Sequence, residues 1–153
     1  MINKRDISIK SKNGKKKKLN LKTEIEAIIK KPKNLSKILL LTTYPPRECG
    51  IATYTQYLKN ALENKFKHSF DVKICALESN TEQHTYKSKD IDAVLNTNDL
   101  QSFSNLVNKI NSDPDLEIVM IQHEFGLFKD NEASLINFLK ALTKPVIITF
   151  HTV

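Results

Sequence analysis

The stretch Lys37-Ile-Leu-Leu-Leu-Thr-Thr-Tyr-Pro-Pro-Arg-Glu-Cys-Gly50-Ile-Ala-Thr-Tyr-Thr-Gln-Tyr-Leu58 reads as a strand, a turn and a helix in succession, and that reading decides the fold. Ile38, Leu39, Leu40 and Leu41 form an unbroken apolar run, the pattern of a strand buried on both faces of a parallel sheet. Pro45 and Pro46 cannot donate to a sheet ladder and bias the residues before them towards extended backbone, so the strand ends near Thr43. Beyond Gly50, Ile51, Ala52, Tyr54, Tyr57, Leu58, Ala61 and Leu62 recur at intervals of three and four and predict a helix with one apolar face.

The first N–H groups of such a helix lack internal partners, and its dipole is positive at that end, so the turn offers donors suited to a phosphate or to sugar hydroxyls. Gly50 would let a ligand approach the backbone, Arg47 could add charge-assisted hydrogen bonds, and Cys49 stands beside them in the turn. A second reading stands beside this one: a plain strand-to-helix connection whose glycine serves only close packing, since one glycine is far less specific than Gly-x-Gly-x-x-Gly.

The remaining elements follow by the same rules. Phe70 to Leu77 alternates and then turns apolar, a second strand; Glu78 to Asp90 is a polar loop; Ile91 to Leu95 is a short third strand. Asn98 or Asp99 caps a helix with Leu100, Phe103, Leu106, Val107 and Ile110 inward, and Asp113-Pro114 ends it. Glu117 to Gln122 is a fourth strand, Ala133 to Leu142 a helix with Leu135, Ile136, Leu139 and Leu142 inward, and Val146 to Phe150 a fifth strand. Strands alternating with helices predict an α/β fold: a Rossmann-like, mainly parallel twisted sheet of order 3-2-1-4-5 with helices on both faces. Its ligand crevice opens at the strands' carboxyl ends, between the first and fourth strands.

Two polar groups fall at that edge. The fourth strand ends in Gln122-His123-Glu124-Phe125-Gly126 and the fifth in Thr149-Phe150-His151-Thr152. An imidazole can donate or accept a hydrogen bond near neutral pH, which makes His123 with Glu124 a candidate acid, base or hydroxyl clamp. The alternative is that each histidine merely bonds backbone at a strand end. A metal site is argued against, because adjacent strand residues point to opposite faces and no third ligand converges with His123, Glu124 and His151. The chain also has no nucleophile-elbow serine and no Walker Gly-Lys-Ser/Thr.

A length of 153 residues, 40% hydrophobic and 27% charged, suits one soluble domain with a sizeable core. The sequence has no transmembrane run and no secretory signal, and Cys49 and Cys75 are too few for a disulfide framework, so a cytoplasmic location with reduced thiols is expected. The net charge of +7 is unevenly spread: residues 1 to 37 carry 13 basic and 3 acidic residues, the remainder 11 and 14. Residues 1–36 therefore read as a basic, partly disordered tail. Within it Thr23-Glu24-Ile25-Glu26 has capping-box spacing and starts a short amphipathic helix near 23–31, which either lies on an anionic membrane, at its inner face, or docks on its own domain. No aromatic residue precedes Tyr44, so the tail offers no base-stacking platform and nucleic acid is not the expected partner.

In that order, Thr-Tyr-Pro-Pro-Arg-Glu-Cys-Gly-Ile-Ala-Thr-Tyr, Gln-His-Glu-Phe-Gly-Leu-Phe and Thr-Phe-His-Thr-Val resemble the N-terminal half of family 4 glycosyltransferases of the GT-B fold. The likeness covers about Lys37 to Val153 and is nearest to bacterial mannosyl- and glucosyltransferase-like members that carry Pro-Pro-Arg-x-Cys-Gly-Ile-Ala-Thr. It implies a retaining transferase that moves a sugar from a nucleotide-sugar donor to a sugar or glycan acceptor hydroxyl, with no cofactor and no required metal. It implies that Gly50, with Arg47, Cys49 and Gly126, approaches donor phosphate or sugar, and that His123 with Glu124 stands at the reacting centre. Tyr44, Thr53, Gln122, Phe125, His151 and Thr152 are then acceptor-side or pocket-lining residues. Cys49 stands where the family commonly has the first glycine of a Gly-Gly pair.

The family's second Rossmann-like domain, with its Glu-x7-Glu motif and nucleotide-gripping basic residues, is not in these 153 residues. The resemblance thus implies residues 37–153 to be a truncated acceptor-side domain, inactive alone. Two other readings remain open: a non-catalytic α/β ligand-binding module, and a protein that binds polyanions or membrane surfaces through its tail.

Overall fold

A computed structural model describes residues 35–151 apart from 68 and 130; the basic tail, with the helix expected near 23–31, and Thr152 lie outside the described residues. Among these residues are five strands, β1 (Ser36–Thr42), β2 (Phe70–Glu78), β3 (Ile91–Asn96), β4 (Leu116–His123) and β5 (Val146–Phe150), and four helices. These are α1 (Gly50–Phe66), α2 (Leu100–Ser112), α3 (Phe125–Phe128) and α4 (Glu132–Ala141). All strands pair in parallel in the order β3-β2-β1-β4-β5, so the direction of winding reverses between β1 and β4 as expected. The one helix that the sequence pattern did not predict is α3, a single turn directly after β4.

The alternation of side chains along the strands divides the core in two. In register, Leu41 faces Cys75 and Ile121, and these join Leu39, Leu77, Leu95 and Val119 under Phe103, Leu106 and Ile110 of α2 and Leu135 and Phe138 of α4. Leu40 pairs with Ile74 and Met120, and this smaller cluster of the other face includes Tyr44 and Val72, with Leu62 of α1 packed against it. Asp99 caps α2 by accepting the Gln101 N–H at 2.9 Å. Asp113 closes the same helix.

Three inward assignments differ from expectation. On α4 the buried residues are Leu135 and Phe138, with Leu139 and Leu142 beside them, while Ile136 is 50% exposed. The stripe follows the spacing 135, 138, 139, 142, which Ile136 does not fit. Leu100, the first residue of α2, lies in solvent. On α1 the buried residues are Ile51, Ala52, Thr55 and Lys59, and Tyr54, Tyr57 and Ala61 are exposed. Polar partners make that stripe possible: Thr55 and Thr42 share a buried hydroxyl hydrogen bond of 2.7 Å, and Lys59 meets Glu63 and, at 3.3 Å, Asp90.

Candidate functional site

The turn after β1 is closed by its own side chains. Thr43 Oγ1 and Cys49 Sγ lie 3.2 Å apart, and the same sulfur accepts the Ala52 N–H at 3.4 Å, so Cys49 is the N-cap of α1. The Arg47 N–H donates to Tyr44 O at 3.1 Å, and Thr53 Oγ1 donates back to Cys49 O at 3.3 Å. Thr53 and Cys49 thus serve the helix start itself. Gly50 is exposed, and a Cβ built on it meets no described atom within 4 Å. Close packing therefore does not require glycine there, which removes the packing explanation and leaves the backbone accessible from outside.

The ends of β4 and β5 are tied to each other and to this turn. His151 N–H donates to His123 O at 3.0 Å, and His151 Nε2 lies 2.7 Å from Gln122 Oε1, a hydrogen bond made by the tautomer that carries its proton on Nε2. Gln122 is fully buried and its Nε2 has no partner among the described residues. From α1, the ring of Tyr54 meets the His151 ring edge-on at 4.9 Å and 74°. One continuous contact chain, Tyr54–His151–Gln122, therefore joins the three motifs, which are far apart in sequence.

His123 lies in an aromatic bracket. Phe128 stacks on it at 5.6 Å and 13°, Phe125 meets it edge-on at 5.4 Å, and Phe150 is tilted against it at 5.1 Å. Its Nδ1 is buried without a hydrogen-bond partner among the described residues. No hydrogen bond or ion pair joins it to Glu124, which begins α3 without a side-chain cap bond. Successive residues at a strand end point apart, so these two are not brought together. Tyr44 is likewise not at an open pocket: it is 6% exposed in the smaller core cluster, where burial and then Asp90 raise its pKa.

Arg47 and Gly126 meet elsewhere, on the walls of an open cleft of about 520 Å³ built mainly by the loop after β2, the turn after β3, and α3 with the residues just after it. There Arg47 is 2.8 Å from Glu82, so its guanidinium is already engaged by a carboxylate. The sequence reading did not single out Tyr54, or the polar residues of this cleft other than Arg47. Tyr54 was hidden by its fit to an apolar stripe. Among the described residues no three His, Cys, Asp or Glu side chains gather to hold a metal ion, and no helix is long and apolar enough to cross a membrane. Comparison with known families, curated proteins and solved structures finds no match to the chain.

Proposed function

We propose that this chain is the acceptor-side domain of a retaining sugar transferase that uses a nucleotide-sugar donor. The observation that carries the reading is the Tyr54–His151–Gln122 chain, with Gly50 on the same edge. Sugar hydroxyls both donate and accept, and this edge supplies an imidazole held by a carboxamide, an aromatic ring and the open start of a helix. Gln122 acts as a positioning residue for His151. His123, beside them and stiffened by three phenyl rings, is assigned to the reacting centre. The engagement of Arg47 by Glu82 fits a wall that recognises sugar more than one that grips a diphosphate. No step is assigned to a metal ion.

A test uses a protein that joins this edge to a nucleotide-sugar-binding half. His123→Leu keeps the apolar bracket filled and removes the imidazole, and should lower transfer turnover about 100-fold or more with little change in thermal unfolding. Unchanged turnover would remove His123 from the reaction. The lack of contact between His123 and Glu124 favours a second reading, a ligand-binding module without catalysis. That reading predicts sugar binding at the same edge and no turnover in the parent protein.

A further inference from the structure

The cleft beside α3 is inside the range of roughly 300–1,000 Å³ in which small-molecule sites fall, at about 520 Å³. Gly50, Tyr54, Gln122, His123 and His151 do not line it. Among the described residues that line it, the charges are Arg47 and Lys129 against Glu78 and Glu82. Three of these four are already engaged: Arg47 with Glu82 at 2.8 Å, and Glu78 Oε1 with the His84 N–H at 2.8 Å. Burial and the Glu78 carboxylate also push the Tyr86 phenol well above its ordinary pKa, so that hydroxyl stays neutral next to Glu78.

Apart from the Lys129 ammonium, what is left to meet a ligand is carboxamide and hydroxyl. Asn96 Nδ2–H donates to Asn80 Oδ1 at 2.8 Å, Asn80 N–H to Asn98 Oδ1 at 3.0 Å, and Asn98 N–H to Asn96 Oδ1 at 3.0 Å. This ring fastens the loop after β2 to the turn after β3 and uses the amide oxygens. The Nδ2 groups of Asn80 and Asn98 are left as fixed, unengaged donors. Opposite them Asn131 begins α4 with no side-chain cap bond, so its carboxamide keeps both a donor and an acceptor. Carboxamides held this way match neighbouring hydroxyls on a ring. A phosphate would instead meet two carboxylates, against one cation already paired and the single unpaired Lys129.

We propose that this cleft is a second ligand site, distinct from the His151 edge, and that it takes a neutral polyhydroxyl ligand, a saccharide. The proposal rests on the lining and not on the transferase reading, and stands if that reading falls.

The test is a titration of the full ¹⁵N-labelled chain with maltose, cellobiose and mannobiose, and separately with inorganic phosphate and uridine diphosphate. At least one saccharide should shift the side-chain NH₂ signals of Asn80, Asn98 and Asn131 and the Gly126 amide along a saturable curve. Asn131→Ala, on a half-exposed side chain, should weaken that curve about tenfold, the loss of roughly one hydrogen bond. Saturation by phosphate or by uridine diphosphate in place of the saccharides overturns the proposal, and so does the absence of any saturable saccharide shift. Shifts confined to Gly50 and His151 overturn the second site and leave the transferase reading in place. Shifts confined to the cleft do the reverse.

Discussion

The two faces of the sheet are held by different physics. Among the described residues, the buried cluster under α2 and α4 has fourteen members, all of them apolar side chains or Cys75. Under α1 it has four, and buried Thr42, Thr55 and Lys59 complete the interface through hydroxyl and ion-pair contacts. Burial of apolar area needs no directional partner, whereas each buried polar group must find one. The first face therefore tolerates changes of shape and not of volume, and the second depends on pairing.

The largest expected effect lies on the first face. Phe138 is 2% exposed and meets Phe103 at 5.9 Å. Phe138→Ala should cost about 3–5 kcal/mol by urea unfolding, from lost transfer energy and the cavity left behind. Leu62→Ala, on the partly buried edge of the other cluster, should cost about 1–2 kcal/mol. Equal losses at the two positions would show that the asymmetry of the clusters is not an asymmetry of energy.

The same contrast explains what the sequence allowed to be read. Strand order was legible because the apolar run Leu39 to Leu41 is buried on both sides and the run Ile118 to Ile121 is buried at Val119 and Ile121 and partly buried at Ile118 and Met120, and the spacing of Phe103, Leu106 and Ile110 marked the face of α2. The face of α1 was not, because a hydrophobic stripe scores tyrosine as inward and lysine as outward. Here Thr55 and Lys59 are buried by virtue of Thr42 and Asp90, residues 13 and 31 positions away in the chain. Partners so distant leave no periodic signal. At the site, the chemistry of His123, Gln122 and His151 was visible as residue types at strand ends, but the Asn80–Asn96–Asn98 ring was invisible, since it depends on how two loops meet.

The second effect tests the paired face through pH. Burial pushes the Lys59 pKa down, but Glu63 and Asp90 outweigh it and hold the ammonium above its ordinary value of 10.5. Lys59→Met keeps the stem and leaves the two carboxylates without their cation, which should cost about 2 kcal/mol near neutral pH. The sign of the pH dependence follows from linkage. A group whose folded pKa is raised contributes fully below its unfolded pKa and loses that contribution as pH rises through the folded one. The gap between parent and variant should therefore be flat from pH 7 to about 9 and narrow above about 10.5. Tyr44, also raised by burial, gives both proteins an alkaline decline, and because the Lys59 charge lowers that phenol's pKa the decline is coupled to the substitution. A gap independent of pH across that window would assign the loss to packing alone.

The smallest expected change in stability is the one that separates structure from site. If Tyr54 were a core residue, as helical spacing alone predicts, Tyr54→Ala would cost about as much as Phe138→Ala. At 43% exposure, with its ring against His151 and outside both clusters, it should instead cost less than about 1 kcal/mol. Its effect should appear on His151: the ring loses its edge contact and keeps only the Gln122 bond, so the imidazole ¹H–¹⁵N signals of His151 should shift while those of His123, bracketed by Phe125, Phe128 and Phe150, should not. A large stability loss would return Tyr54 to the core and cut the contact chain on which the reading of this edge depends. A small loss with an undisturbed His151 would cut it equally, because the first motif would then have no energetic connection to the third.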